Sequence, residues 1–307
     1  MKWMLFFLLA ATLEPGSATL IWRDGKVESM RVEGYADIAA KRRVTAKTNF
    51  RLASVTKQFT ATAVLLCERD GKLTLDDPVS KHIADWPAYA NAITIRHLLQ
   101  HESGLRPYDA NVPEDVPQLT DQDVLRFVQQ QTSLLFDPGS AYCYSNTGYA
   151  ILALVVERAS GLRFAEMLRR RIFKPLGMKG TTVGPGNNRA FGHARTATGW
   201  QRADQSPTSA VQGDGGIYSS IQDLAKWARA LDKCTLLDCA TLQKTWTPSK
   251  HGYGLGWRIE GGVIGHTGST RGFRNVIKRY PAKRLTIVIL TNRNEGEPEI
   301  TATRLAK

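Results

Sequence analysis

Apolar and polar positions alternate near both ends of the chain and bunch at helical spacing between them. Residues 19–23 and 27–32 read as two strands joined by Asp24-Gly25, a pair suited to the positive φ angles of a tight hairpin. Residues 263–267, 273–280 and 285–291 are rich in β-branched and aromatic side chains and separated by short loops. They supply the partners, so the pattern predicts an antiparallel sheet built from both termini. The middle is different. From 55 to 67 the apolar positions Val55, Phe59, Ala63 and Leu66 stack at helical spacing with further apolar neighbours around them, which predicts a buried helix stopped near Gly71. A second apolar helix is expected over 149–156, closing near Gly161, and a third over 220–231, with Ser220 and Asp223 as its cap signal.

The predicted fold class is therefore α/β, an antiparallel sheet flanked by helices with a helix-rich lobe inserted between its two halves. Its expected parts are a sheet lobe of residues 19–53 and 205–307 and a helical lobe of residues 54–204. The 307 residues, 42% apolar, are enough for one full core or two interlocked ones.

Chemistry enters at Ser54-Val55-Thr56-Lys57, where the β-like run 49–53 turns into the first apolar helix. A serine hydroxyl needs a neighbouring base to become a nucleophile, and residues three apart on a helix share a face, so Lys57 can reach the Ser54 oxygen. About one S-x-x-K is expected by accident in a chain of this composition, and most such motifs are solvated helix faces. Two other triplets suit the same chemistry at distances only folding can close. In Tyr144-Ser145-Asn146, Tyr144 offers a phenol that can shuttle a proton and Asn146 a carboxamide that can hold a substrate amide. In His266-Thr267-Gly268, Thr267 and Gly268 offer a strand edge along which an extended ligand can lie. Taken singly, each triplet reads as a turn with a cap or a strand running into a loop.

Together the three motifs resemble the penicillin-recognising serine hydrolases, in the branch of class C β-lactamases, D-alanyl-D-alanine carboxypeptidases and related esterases. Supporting stretches extend the resemblance along the chain: Gly71-Lys72-Leu73, Leu98 to Leu105 (LLQHESGL), Gly215 to Ser220, Tyr253-Gly254-Leu255-Gly256-Trp257 and Leu290-Thr291-Asn292. The resemblance implies a β-lactamase/transpeptidase-like fold and an acyl-enzyme cycle, with Ser54 as nucleophile and Lys57 and Tyr144 sharing the proton. It implies backbone N–H groups of Ser54 and Ser269 as the oxyanion donors, Asn146 orienting the substrate amide, and Thr267 with His266 facing its carboxylate end. His266 stands where lactamases carry lysine, and a histidine is mostly neutral at pH 7, so Arg271 or Arg274 are candidates to restore the missing charge. The expected substrates are amide or ester bonds of small molecules or peptides, β-lactams or D-Ala-D-Ala-type peptides, cell-wall-derived among the options. A carboxylesterase with the same residues and a catalytically silent relative are the alternatives.

Lys2, the apolar run 3–13 and Gly16-Ser17-Ala18 read as a signal peptide over residues 1–18, hence an exported, periplasmic or secreted protein. The run is too short to span a bilayer. Pro15 to Ala18 also resemble the family's entry into its first strand, so cleavage after Ala18 would trim the edge of the domain. Net charge is +13 and survives removal of residues 1–18, since Lys2 and Glu14 cancel; this favours anionic surfaces or substrates. No motif points to nucleic acid, and no cofactor or metal is expected, because no cluster has zinc spacing and His101-Glu102 lacks a second histidine. Of four cysteines, Cys234 and Cys239 are close enough to close a small loop, Cys67 reads as core, and Cys143 lies next to Tyr144.

Overall fold

A computed structural model describes residues 13–307; most of the proposed signal peptide lies outside them. The first elements among the described residues form a hairpin, β1 (Ser17–Arg23) and β2 (Lys26–Glu33), whose turn places both Asp24 and Gly25 at positive φ as the Asp-Gly pair predicts. Ser17 and Ala18, at the expected cleavage point, are paired on both sides within β1, and Ala18 is fully buried. A ribbon of β3 (Tyr35–Asp37) and β4 (Arg42–Arg43) leads to β5 (Asn49–Arg51), the 3-10 turn Ala53–Thr56 and α1 (Lys57–Arg69). Four helices follow: α2 (Ile95–Leu99), α3 (Asp121–Gln130), α4 (Asn146–Ser160) and α5 (Phe164–Leu168). Then come β6 (Thr182–Val183) and a second ribbon, β7 (His193–Thr196) with β8 (Gly199–Arg202). β9 (Ile217–Ser220), α6 (Ile221–Asp232) and α7 (Cys239–Thr245) return the chain to the sheet. It ends with β10 (Arg258–Glu260), β11 (Val263–Thr270), β12 (Phe273–Tyr280), β13 (Leu285–Thr291) and α8 (Pro298–Leu305).

The main sheet has the order β10-β11-β12-β13-β1-β2 and is antiparallel throughout, so the two ends of the chain meet at the β13–β1 seam. β13 is buried along its whole length: Val288 and Leu290 join the main core, while Ile287 and Ile289 join a second cluster with Ala302 and Ala306 at the C-terminal helix. This explains its unbroken apolar run, because a strand covered on both faces has no polar alternation. On the other face α6 packs against β1 and β13. α4 runs longer than its apolar pattern predicts, from Asn146 to Ser160, and ends at Gly161 in the left-handed conformation (φ 71°). Its partners are α1, α2, α3 and α5. The predicted helix over 55–67 begins two residues later, at Lys57, because Ala53–Thr56 form the 3-10 turn ahead of it. A small sheet of order β5-β9-β6, too short to be legible as alternation, supports this turn from beneath.

Candidate active site

Ser54 is presented by a strand-to-helix turn in which the preceding residue, Ala53, holds a left-handed backbone (φ 51°). That conformation is disfavoured for a residue with a side chain and persists only where surrounding structure fixes it. Here Leu52 N–H donates to the Ile217 carbonyl, Ile217 N–H donates to Thr56 Oγ1, and Gly215 packs against Ala53 with no room for more than an ordinary contact. β11 comes in from the other side. A methyl group at Gly268 would collide with the Leu52 carbonyl oxygen, which is why glycine follows Thr267 and why the strand can lie against the serine turn. β10 pairs with β11 only as far as Gly265, so no strand among the described residues covers the outer edge of residues 266–270.

Lys57 is completely buried. Its Nζ lies 3.3 Å from Ser54 Oγ, 2.8 Å from Asn146 Oδ1 and 2.9 Å from the Asp214 carbonyl oxygen. None of the described carboxylates is within ion-pair distance of it. The Asp214 carbonyl is held in place by its loop: Gly213 O accepts from Thr60 Oγ1, and the Asp121 carboxylate at the start of α3 accepts the Gln212 and Gly213 N–H groups. Burial pushes the Asp121 carboxyl up to about 7, and also raises that of Asp214, whose Oδ2 accepts from the Tyr108 hydroxyl at 2.8 Å. Asn146 continues the network outward, its Nδ2 donating to the exposed Asp109 carboxylate at 2.7 Å.

The Tyr144 ring centroid is 4.9 Å from Lys57 Nζ, and its hydroxyl is buried with no hydrogen-bond partner among the described residues. The structure thus brings the serine and the tyrosine to the same buried lysine amine, with the phenol unengaged. Its placement depends on a residue to which the sequence alone assigned no role in the site. His101, fully buried and at φ 61°, accepts the Cys143 N–H on its carbonyl and the Ser145 N–H on its Nδ1, each at 3.0 Å. Its ring lies 4.3 Å from that of Tyr144. Desolvation, reinforced by the positive charge of Lys57, holds His101 well below the usual histidine range, so it is neutral. Its Nδ1 is the acceptor, which leaves the proton on Nε2. The signal was present in the Gln100-His101-Glu102-Ser103 turn, but only as an element of the resemblance.

His266 is also buried and neutral: desolvation lowers it to about 3. Nδ1 faces the Thr267 carbonyl at 2.6 Å and so carries the proton, while Nε2 accepts from the Tyr253 hydroxyl at 2.8 Å. With both nitrogens engaged it presents no free donor to a ligand carboxylate. Of the two arginine candidates, Arg271 is occupied by Glu114 and the Gln205 carbonyl, while Arg274 gives Nη1 to the Thr270 and Phe273 carbonyls and has no carboxylate partner among the described residues. A second guanidinium without a carboxylate is that of Arg258 on β10. It is exposed, has no carboxylate partner among the described residues, and sits 5.5 Å from the Tyr144 ring centroid. Beside β11, Thr267, Gly268, Ser269, Arg274 and the first turn of α8 line a cavity of about 300 Å³. No group of residues suited to holding a metal ion occurs among the described residues.

The family model described as Beta-lactamase matches residues 8–307, nearly the whole chain. The chain therefore belongs to the β-lactamase family, the group its three motifs resemble. It is 30% identical over 296 residues to penicillin-binding protein 4* of Bacillus subtilis (strain 168), covering 85% of this chain and 64% of that protein. It is 28% identical over 312 residues to a D-aminopeptidase of Cereibacter sphaeroides, covering 95% of this chain and 59% of that one. This chain thus spans about three-fifths of the length of those two relatives. A solved D-amino acid amidase from Ochrobactrum anthropi SV3, complexed with L-phenylalanine amide, superposes with a TM-score of 0.80 at 27% identity, covering 94% of this chain and 88% of that one.

Proposed function

We propose that the protein is an exported serine hydrolase that opens amide bonds of D-amino-acid peptides or amides through a covalent acyl-enzyme. The observation that carries this is a buried amine, 3.3 Å from the serine oxygen, solvated only by neutral oxygens of Asn146 and Asp214. A lysine placed for structure normally finds a carboxylate. One that serves as a base needs to be free to lose and regain its proton.

In the first half-reaction Ser54 Oγ bonds to the carbonyl carbon, and its proton passes by way of Lys57 and Tyr144 to the leaving nitrogen as the C–N bond breaks. In the second, water adds to the ester, the bond to Oγ breaks, and the serine regains a proton. The oxyanion lies between the backbone N–H groups of Ser54 and Ser269, each such donor contributing about a hundredfold or more in rate. The unpaired Tyr144 hydroxyl suits a group that engages only when substrate arrives. Arg258 takes a carboxylate on the leaving half, the role first assigned to His266; His266 holds Tyr253 and the strand beneath. Relatives that bear the names D-aminopeptidase and D-amino acid amidase support the substrate class. The Cys234–Cys239 bridge supports passage through an oxidising compartment, and no helix among the described residues is long and apolar enough to cross a membrane.

The test uses the purified chain and its Ser54→Ala variant with a fluorophosphonate, a fluorescent penicillin, a chromogenic cephalosporin, a D-Ala-D-Ala peptide, a D-amino-acid anilide and a nitrophenyl ester. Ser54-dependent labelling with turnover of the D-amino-acid substrates is expected. Absence of any Ser54-dependent adduct would refute hydrolase activity; turnover confined to the nitrophenyl ester would make the protein a carboxylesterase.

A further inference from the structure

Asn146 is oriented from both ends. The Lys57 amine donates to Oδ1 at 2.8 Å, and the Asp109 carboxylate, which has no proton to give, requires Nδ2 as its donor at 2.7 Å. The carboxamide therefore reaches the ligand side with one of its two N–H bonds already given to a carboxylate. Asp109 is fixed there. The Tyr108 N–H donates to Thr147 Oγ1, the Tyr108 hydroxyl donates to Asp214, and Thr147 Oγ1 donates to the Arg106 carbonyl, so the backbone on its N-terminal side is anchored to α4 and to the 212–216 loop. Its second oxygen, Oδ1, has no partner among the described residues, and no cation lies within ion-pair distance. Glu114, five residues on in the same loop, differs in being paired with Arg271. A chain of net charge +13 thus keeps an anchored, exposed and unneutralised carboxylate in hydrogen-bond contact with a residue of its active site.

We infer that Asp109 binds the free α-ammonium of the substrate and makes the enzyme selective for N-terminal D-aminoacyl groups over N-acylated ones. This rests on the reading of Ser54 as nucleophile and of Asn146 as the residue facing the acyl half of the substrate. An N-acylated substrate would bring a carbonyl oxygen to Asn146 Nδ2, where it meets the lone pairs of Asp109. A free ammonium brings donors and a positive charge to the same place, and the interaction is a charge-assisted hydrogen bond. The two substrate types, chemically equivalent at the scissile bond, are separated by one side chain beside it.

The experiment compares D-alanine p-nitroanilide with N-acetyl-D-alanine p-nitroanilide on the wild type and on Asp109→Asn, which can still accept the Asn146 hydrogen bond but lacks the charge. The wild type is expected to favour the free amine in kcat/KM by about tenfold or more, the scale of one ionic hydrogen bond, and the variant to bring the ratio within about threefold. A second readout follows the charge itself. Wild-type kcat/KM for the free amine should fall as pH rises through the amine's own ionisation, at about 8, and this decline should flatten in the variant. A wild type that favours the acetylated substrate, an equal loss on both substrates in the variant, or an unchanged pH profile would overturn the assignment. Fluorophosphonate labelling of Ser54 runs alongside. If it persists while neither anilide is turned over, amine selection fails and the nucleophile stands; if labelling is absent, the hydrolase reading falls, and this inference with it.

Discussion

Two buried cations, one at the α1 junction and one at the α6–β12 seam, are handled in opposite ways. Arg279 on β12 meets a carboxylate: its Nη2 is 2.8 Å from Asp232 Oδ1, and the other Asp232 oxygen accepts the Trp22 indole N–H at 2.6 Å. Lys57, more deeply buried, meets a serine hydroxyl, a carboxamide oxygen and a main-chain carbonyl. A carboxylate partner fixes a cation in its charged form and ties two elements together. Neutral acceptors position an amine without binding its proton so firmly. One site is built to stay as it is and the other to change.

The largest expected break of this contrast is Lys57→Ala, which should lower acylation about a thousandfold by removing a positioned base. Lys57→Met should do the same while leaving the urea midpoint equal or higher, because an apolar chain relieves the cost of burying the amine. Asp232→Ala should have the reverse profile. It strands Arg279 and Trp22, costs about 3 kcal/mol of unfolding free energy in a denaturant titration, and leaves kcat/KM of the folded enzyme intact. Tyr144→Phe should reduce acylation about a hundredfold with almost no change in stability, since the hydroxyl it removes has no partner in the free protein; a loss of stability comparable to Asp232→Ala would reassign the phenol to packing.

The smallest effect is in the pH dependence of stability. His266 falls from 6.5 to about 3 on folding, so the unfolded chain binds the extra proton and stability is lost as pH drops from about 6.5 towards 3. Asp121 rises from 3.8 to about 7, so the folded chain holds the proton, and this contribution, full below about 3.8, is lost as pH climbs towards 7. The two slopes oppose one another between about pH 4 and 6.5. Thermal melts across that window should be nearly flat for these groups in the wild type, fall with rising pH in His266→Asn, and rise with pH in Asp121→Asn.

What could be read from the sequence was whatever depends on neighbours in the chain. The Asp24-Gly25 hairpin, β12 and β13 lie where β-branched runs and turn chemistry put them, and Ser54 with Lys57 face each other because they are three residues apart. What depends on distant partners was hidden. The role of His101 rests on a carbonyl and a ring nitrogen that hold a segment more than 40 residues away, and the place of Arg258 beside the Tyr144 ring is set by a strand more than 100 residues further along the chain. Composition showed that charge was plentiful. Only the fold shows which charges are already spoken for.

The seam at which β1 lies between β13 and β2 also bears on how the molecule is made. A ribosome delivers β1 and β2 first and β13 more than 250 residues later, so during synthesis the apolar side chains of β1 wait without their partner strand. Closing so long a loop is slow, and the waiting edge is open to association with other chains. A nascent chain halted before β13 should therefore be held by a chaperone or cleared, whereas a rearranged gene that joins β13 directly to β1 would present both strands together and shorten that exposure.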